Sequence, residues 1–341
     1  MSENKLFRNS IILKLVVVGF LVAILMVPTS MIGSLVDERN SRRDGAIREV
    51  GAKWGNEQTV AGPILTIPYI DYTDKNLKLI KYAYFLPDEL KIKGNMSPGL
   101  LHRGIYEITT YNSRLNLSGK FTQPDFKALG IAQDRIMWDK AVISVGISDM
   151  RGIKDNVEVE WEGRKFLAKS NLATGAATGF ASDVDISAPL AAGTQKKTYN
   201  YSLSINLNGI KALNFVHLGS KTNVELTSSW QSPSFSGAFL PDERRVDGSG
   251  FVAKWQIPQL NRTYPQSWLG NWPNLSYSAF GVSLLVAVNE YQKTTRSIKY
   301  AVMIIALTFL AFFFVEVLHK TRIHPIQYIL VGLALVLFFS L

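Results

Sequence analysis

The chain has 341 residues, of which 47% are apolar and 19% charged, with 37 Lys and Arg, 27 Asp and Glu and no Cys. This length accommodates one large domain or two ordinary ones, and the lack of Cys excludes disulfide frameworks, thiolate metal sites and cysteine nucleophiles. The charged fraction is low for a soluble protein, because the apolar residues are concentrated at the two ends of the chain. That distribution indicates a protein anchored in a membrane at both ends.

The first apolar run covers residues 15–36, which are 22 residues without a charge. As a helix it would extend about 33 Å, enough for a hydrocarbon core of about 30 Å. It is longer than the roughly 7–15-residue apolar region of a cleaved signal peptide, which is the alternative interpretation, so we predict an uncleaved transmembrane helix. Lys5, Arg8 and Lys14 precede it, and the positive-inside rule therefore places residues 1–14 in the cytoplasm.

Two more apolar runs lie at the other end of the chain. Residues 300–318 form a 19-residue candidate span, about 28 Å long as a helix. Residues 319–325, which include Lys320 and Arg322, are predicted to form a short cytoplasmic loop. Residues 326–341 suffice for only about 24 Å of helix, and they end without a polar exit. We therefore expect that the sequence stops partway through a third transmembrane helix.

The segment between the first two spans is predicted to be periplasmic, since two spans with a cytoplasmic N-terminus leave it on the far side of the membrane. Residues 37–58 are dense in charges, and Ile47, Val50 and Trp54 share one helical face. This pattern predicts that the first helix continues beyond the membrane as a juxtamembrane helix.

The charges of the periplasmic segment bear on its partners. Residues 37–299 contain 32 Lys and Arg and 25 Asp and Glu, spread along the chain, which is typical of a mildly basic, solvated surface. The alternative interpretation is that this positive charge binds anionic lipids of the bilayer or anionic polymers of the envelope. Nucleic acid is not expected, because no recognition motif or basic stripe occurs.

Residues 59–299 are predicted to form one periplasmic β domain. β-Branched and aromatic residues recur with a period of two between turn residues, which favours a large antiparallel, sandwich-like fold. One helix is predicted, at residues 125–129. The predicted strands cover residues 82–88, 104–121, 140–149, 156–163, 199–209, 223–230, 250–257 and 277–291.

One pentapeptide occurs twice in this domain. Phe-Leu-Pro-Asp-Glu is found at residues 85–89 and again at 239–243. The repeat indicates either two related halves of the domain or a turn sequence that is favourable in both places, and the sequence does not distinguish the two.

Motifs of enzymes and of cofactor sites do not occur in the sequence. The four His residues lack metal-ligand spacing, and there is no nucleophile elbow, phosphate loop or dinucleotide fingerprint. We therefore expect no cofactor, no metal and no catalysis. A hydrolase assembled from residues distant in sequence is a further alternative.

Glu316 is the one ionisable residue within a predicted span. Carboxylates inside a membrane are candidates for a function in transport or proton transfer. The plainer interpretation is an interfacial ion pair with Lys320, four residues further along the helix.

Trp268 and Trp272 are candidates for a docking surface. They lie in a loop-forming segment between Pro258 and Pro273. If residues 277–291 form one strand of about 50 Å that leads to the second span, both indoles lie at the membrane-distal end. Exposed tryptophans there would suit contact with another envelope component. The alternative is that both belong to the core.

Seven segments along the chain carry a resemblance to a known family. They are AGPILTIP (61–68), RGIYE (103–107), ISVGISDMRGI (143–153), LTSSWQSPSFSGAFLP (226–241), SGFVAKWQ (249–256), KYAVMIIALTFLAFFFVEVL (299–318) and HPIQYILVGLALVLFF (324–339). These segments resemble those of the CreD family, bacterial inner-membrane proteins linked to the integrity of the cell envelope. The resemblance implies an inner-membrane location, association with a two-component envelope-stress regulon, with colicin tolerance and with the β-lactam response, and no established enzymatic activity. It also implies further membrane helices after residue 341.

The resemblance supplies candidate positions without assigning them roles. For Arg151 and Gly152 the plainer interpretation is a tight turn after a strand. For His324 and Pro325 it is entry into a helix, with Pro in the first turn. The positions are Arg151, Gly152, Glu316, His324, Pro325, Gln327 and Tyr328.

The sequence therefore predicts an inner-membrane protein that contributes to envelope integrity and to the envelope-stress response. Its periplasmic β domain would act by contacting envelope proteins or polymers, without catalysis. The alternative function is a transporter or lipid-handling membrane protein that uses the C-terminal helices and Glu316.

Overall fold

The computed structural model describes residues 11–74, 77–170, 178–186, 197–285, 290–319 and 323–340. The chain divides into two compact units. The helical unit consists of Met1–Gly45 and Ala287–Leu341, and the β domain consists of Ala46–Val286. The three long helices are α1 (Ile11–Trp54), α2 (Glu290–Leu318) and α3 (Pro325–Ser340).

Among the residues that the structure describes, the helical unit contains two helices that are long and apolar enough to cross a membrane. By length and composition these are α1 and the segment Tyr300–Leu318 of α2, whereas α3 is a shorter apolar helix. Gly332 of α3 lies against α1, since a Cβ at this position would be 2.2 Å from Cδ1 of Leu25. Small residues allow such close approach between membrane helices. The buried core of this unit comprises Leu21, Leu25, Ile305, Phe309, Tyr328 and Val336.

Strands make up most of the β domain, which confirms the mainly β prediction. In chain order the strands are β1 (Gln58–Asp74), β2 (Leu77–Phe85), β3 (Glu89–Arg103), β4 (Tyr106–Thr122), β5 (Val142–Ile147), β6 (Glu158–Trp161), β7 (Arg164–Leu167), β8 (Gly179–Asp183), β9 (Thr198–Ile210), β10 (Ala212–Val216), β11 (Lys221–Ser228), β12 (Pro233–Gly237), β13 (Glu243–Asp247), β14 (Gly250–Pro258), β15 (Ser267–Leu269) and β16 (Ala279–Leu284).

The strands form two sheets that share one hydrophobic core. The first sheet has the order β12-β16-β10-β1-β2-β15, with β5 paired to β1 and β8 paired to β5. The second sheet has the order β13-β14-β11-β3-β4-β9-β6-β7. Residues of both sheets, such as Leu65 and Ile143 from the first and Leu115 and Trp255 from the second, belong to the same buried cluster. Neighbouring strands are antiparallel, as predicted, except for the parallel pairs β1–β10 and β3–β11.

The repeated pentapeptide occupies two crossovers from the first sheet to the second. At one, β2 leads into β3, and the N–H of Asp88 donates to the carbonyl oxygen of Lys120 at 3.0 Å. At the other, β12 leads into β13, and the N–H of Asp242 donates to the carbonyl oxygen of Lys254 at 2.9 Å. Each Asp carboxylate also accepts the N–H two residues beyond that lysine, in Thr122 and in Gln256. The two copies therefore perform the same structural task.

Three predicted elements differ from the structure. Residues 126–130 form a hydrogen-bonded turn rather than a helix. The juxtamembrane helix ends at Trp54 instead of residue 58, because Gly55 adopts a φ of 115° that an α-helix does not allow. The predicted strand over residues 277–291 shortens to the six residues of β16, and residues 290–299 are already helical.

Candidate functional site

Charged and amide side chains join the end of α1 to the β domain. Asp149, just after β5, accepts hydrogen bonds from Arg151 at both carboxylate oxygens, from Nε to Oδ1 at 2.9 Å and from Nη2 to Oδ2 at 2.8 Å. Oδ2 also accepts the backbone and side-chain N–H groups of Asn56 at 3.0 and 2.8 Å. Arg151 donates from Nη1 to the carbonyl oxygen of Ala52 at 3.0 Å. The last carbonyls of a helix lack partners within it, so this arginine satisfies one of them and also faces the negative end of the helix dipole.

The charge of Asp149 is stabilised by these partners. The hydrogen-bonded Arg151 guanidinium is the main cause that lowers the pKa of this carboxyl from 3.8 to about 2, and the N–H of Asn56 acts in the same direction. Burial acts against both. The carboxylate is therefore ionised throughout the neutral range and holds the arginine in place.

Gln58 and Gly152 complete this arrangement. The buried Gln58 amide donates from Nε2 to the carbonyl oxygens of Asp149 and Asn208, both at 3.0 Å, and its Oε1 accepts the N–H of Asp149 at 3.2 Å. A Cβ on Gly152 would lie 2.3 Å from the Asn208 oxygen and 2.4 Å from Nε2 of Gln58, so a larger residue does not fit. We define the junction cluster as Asn56, Gln58, Asp149, Arg151 and Gly152.

A second contact holds the same helical segment. Arg103, at the tip of the β3–β4 hairpin, donates to both carboxylate oxygens of Glu49 at 3.1 and 2.6 Å. Hydrogen bonds from Lys53 and from Arg103 lower the pKa of Glu49. Trp54 donates from its indole N–H to the carbonyl oxygen of Tyr111 at 3.3 Å. Two of the motifs singled out in the sequence, RGIYE and ISVGISDMRGI, thus contact the same end of α1.

The structure places the two candidate tryptophans differently. Trp268 is only 8% exposed, and its indole stacks on Tyr84 with ring centroids 5.3 Å apart. Trp272 is half-buried and meets both rings edge-on. The core interpretation therefore describes Trp268. The docking prediction also loses its geometric basis, because the 15-residue strand on which it depended does not form.

The helical unit contains a second polar cluster. Lys14 of α1 lies 2.9 Å from Glu316 of α2, measured from Nζ to Oε1, and Tyr328 of α3 donates its hydroxyl to Oε2 at 3.5 Å. Glu316 is 8% exposed. The expected partner Lys320 lies outside the described residues, and the partner that the structure shows, Lys14, comes from α1. One carboxylate thus connects all three helices.

His324 and Gln327 lie at the beginning of α3. The N–H of His324 donates to Oε1 of Gln327 at 3.1 Å, and Nδ1 of His324 accepts the N–H of Ile326 at 3.3 Å. These reciprocal bonds satisfy N–H groups that a helix start otherwise leaves without partners. Pro325 is the first helical residue, a position that suits its fixed φ. The helix-entry interpretation accounts for this geometry.

A buried histidine in the β domain is a feature that sequence reasoning missed. His217 is fully buried, and its Nε2 lies 3.2 Å from the carbonyl oxygen of Pro258. Burial is the main cause that lowers the pKa of His217 to about 4, and the nearby Arg262 adds to the effect. Tyr264 donates its hydroxyl to the backbone oxygen of His217. The ring is therefore neutral at physiological pH and serves as part of the packing.

Nothing in the part of the chain that the structure describes groups three or more His, Asp or Glu side chains in a way that could hold a metal ion. The second sheet has an open depression of about 390 Å³ that is lined mainly by serine, asparagine and glutamate side chains, among them Asn116, Glu158 and Ser202. The ion pair of the junction cluster lies between the end of α1 and the turn after β5. The Lys14–Glu316 ion pair connects α1 with α2. In this structure both pairs hold secondary-structure elements together.

Comparison with known proteins identifies the family. The family model described as "Inner membrane protein CreD" matches residues 10–341. The chain is also 32% identical over 332 residues to the inner membrane protein CreD of Escherichia coli (strain K12), and the alignment covers 94% of this chain and 72% of that protein. Both this relative and the family model are described as inner membrane proteins. The chain therefore belongs to the CreD family of inner membrane proteins.

Proposed function

We propose that this protein contributes to the integrity of the cell envelope and to the envelope-stress response, as a non-catalytic protein whose β domain contacts envelope proteins or polymers in the periplasm. The observation that carries this proposal is the junction cluster. Hydrogen bonds from Asn56 and Arg151 to the Asp149 carboxylate, and from Arg151 to the carbonyl oxygen of Ala52, connect the turn after β5 to the last turns of the helix that continues from the first apolar run.

The two sheets also support a contact function. The solvent face of the second sheet presents hydroxyl, amide and charged side chains in register across neighbouring strands, for example Lys93 opposite Asn116 and Asn116 opposite Ser204. Such side chains make hydrogen bonds to proteins and to glycans alike. The family is not a known enzyme family, which favours contact over catalysis.

The location of the β domain is tested first. A reporter enzyme that is active only outside the cytoplasm is inserted between Gly248 and Ser249, in the exposed turn between β13 and β14. We expect full reporter activity there, and none when the reporter is fused to the N-terminus. Activity of a cytoplasmic reporter at the same turn would contradict the proposal.

The contacts are tested by photo-crosslinking in living cells. A photoreactive residue replaces Asn116 or Ser204 on the exposed sheet face, or Leu310 on an exposed position of α2 as the control. We expect adducts with envelope proteins or polymers at the sheet positions, and lipid adducts only at Leu310. The variants must also restore the tolerance of the cells to envelope stress. If they do so and no adduct forms at either sheet position, the contact function is contradicted.

A second candidate function is transport or lipid handling. The observation that favours it is the buried carboxylate of Glu316 with its partner Lys14, because ionisable residues within a membrane span are found along substrate pathways. Glu316→Gln distinguishes the two functions. Loss of envelope tolerance at normal protein levels supports the pathway, whereas unchanged tolerance supports the contact function.

A further inference from the structure

The helical unit contains a cavity beside the Lys14–Glu316 pair. Its volume is about 420 Å³, and side chains of α1, of α2 and of the segment that begins α3 line it. Glu316, Lys14, His324 and Tyr328 form its polar part. Val17 and Leu21, one and two helical turns after Lys14, belong to its apolar wall. The cavity is thus polar at one end and apolar along its length.

The polar end offers more hydrogen-bond donors than its own acceptors use. The Lys14 ammonium has three N–H groups, and its described ion pair engages it with Glu316 at Oε1. The second carboxylate oxygen accepts the hydroxyl of Tyr328. The His324 ring accepts an N–H at Nδ1, so in its neutral form the proton resides on Nε2, which donates. An anionic group with several acceptor oxygens complements this end.

The apolar wall determines the kind of anion. Val17 is 38% exposed and lies in a helix that is apolar enough to span a membrane. A free phosphate ion would leave this wall without a partner, whereas a hydrocarbon chain covers it. The hydrogen-bond donors of Lys14 and His324 and the apolar wall are therefore matched together by a molecule with a phosphate at one end and an acyl chain at the other.

We propose that this cavity binds a membrane phospholipid, with its phosphate on Lys14 and His324 and one acyl chain along Val17 and Leu21. The proposal rests on the membrane spans assigned above and gives a substrate class to the second candidate function. Glu316 orients Lys14 toward the phosphate, and Tyr328 orients Glu316.

The test measures lipid retained by the purified chain. The chain is extracted in a mild detergent and supplied with phosphatidylglycerol, with diacylglycerol of the same acyl chains, or with inorganic phosphate, and binding is read by native mass spectrometry. We expect one retained phosphatidylglycerol, and neither of the other two. Charge-assisted hydrogen bonds to phosphate are worth about 1.5 kcal/mol or more, so Lys14→Gln is expected to weaken retention about tenfold.

Three further variants leave the Lys14–Glu316 ion pair in place and test the rest of the cavity. Val17→Trp fills the apolar wall, and Phe20→Trp adds the same side chain at a position of the same helix that is 64% exposed and does not line the cavity. We expect Val17→Trp to abolish retention and Phe20→Trp to preserve it. His324→Ala, which leaves Lys14 and Glu316 in place, is expected to weaken retention severalfold.

Several outcomes overturn the proposal. Equal retention in the wild type and in Val17→Trp would mean that the lipid binds elsewhere, and equal retention of diacylglycerol would remove the role of the phosphate. Binding of inorganic phosphate alone would assign an ion site. A dimer that Val17→Trp dissociates would assign the cavity to a second copy of the chain. None of these outcomes affects the contact function, which the crosslinks at Asn116 and Ser204 test separately.

Discussion

Asp149 is the residue on which the junction cluster depends. It is nearly buried, it accepts bonds from two residues, and Arg151 lowers its pKa to about 2. A carboxyl whose pKa is depressed in the folded state contributes stability above its unfolded pKa and loses that stability as the pH falls through the folded value. For Asp149 the loss therefore occurs between about pH 4 and pH 2.

Replacement of this carboxylate is predicted to lower the free energy of unfolding. Asp149→Asn removes the charge that holds Arg151, and the pKa shift corresponds to about 2 kcal/mol at neutral pH. The measurement is denaturant unfolding followed by tryptophan fluorescence, at several pH values. The difference between wild type and variant should be constant from pH 5 to 8 and should shrink as the pH falls from 4 to 2.

An exposed ion pair provides the matched control. Asp185 pairs with Arg164 at 2.9 Å, but both side chains are largely exposed. Asp185→Asn should change the free energy of unfolding by less than about 0.5 kcal/mol. If both variants lose a similar free energy of unfolding, the junction cluster contributes no more to stability than an exposed ion pair does.

His217 also loses stability as the pH falls, in a higher pH range than Asp149, because burial disfavours its protonated ring. Its pKa falls from 6.5 in the unfolded chain to about 4 in the fold, so the fold prefers the neutral ring. This preference is fully present above about pH 6.5 and is lost as the pH falls toward 4, a total of about 3 kcal/mol. We predict that acid unfolding of the wild type begins in this range.

His217→Phe removes the titrating group while it keeps a ring of similar size beside Phe239. The variant should lose some stability at neutral pH, because the carbonyl oxygen of Pro258 loses its partner. Its stability should, however, depend less on pH between 6.5 and 4 than that of the wild type, as measured by the same unfolding curves. Parallel curves for the two proteins would contradict a neutral, buried His217.

At the scale of elements, the junction depends on a close approach of backbone segments. Gly152 follows β5 and leaves no room for a Cβ between Asn208 and Gln58. Gly152→Ala should therefore push β9 and the start of β1 apart and lower the free energy of unfolding by about 2 kcal/mol or more. Gly248→Ala, where a Cβ would meet no atom within 4 Å, is the control that should leave the melting temperature unchanged.

Periodicity in the sequence predicted some strands and missed others for a physical reason. The alternating pattern of β9 was recognised because one face is buried and the other solvated. β1 was missed because residues 62–69 are buried on both faces, so that AGPILTIPY has no alternation to detect. β3 alternates well, but its Gly and Pro residues resemble a turn sequence.

The candidate sites were predictable only in part. The family resemblance singled out Arg151 as a position to inspect, and a charge within an apolar run singled out Glu316. The turn after β5 and the helix entry at Pro325 follow from short motifs. The partners were not predictable, because Asp149 meets Asn56 and Glu316 meets Lys14 across long stretches of sequence. One sequence without an alignment contains no signal for such pairs.

At the scale of the whole molecule, the membrane role and the β domain follow from different parts of the chain. Apolar length defines α1 and α2 as candidate spans, and alternation defines the sheets between them. Family membership adds the inner membrane as the location.

The two parallel strand pairs have a consequence for how the protein is made. β1 pairs with β10 and β3 pairs with β11, so each sheet joins residues before position 104 to residues after position 211. Closure over such separations is slow. The emerging polypeptide therefore exposes half-finished sheets until residue 284, the end of β16, has left the ribosome, and a nascent chain interrupted earlier would present unpaired strand edges to proteases and chaperones.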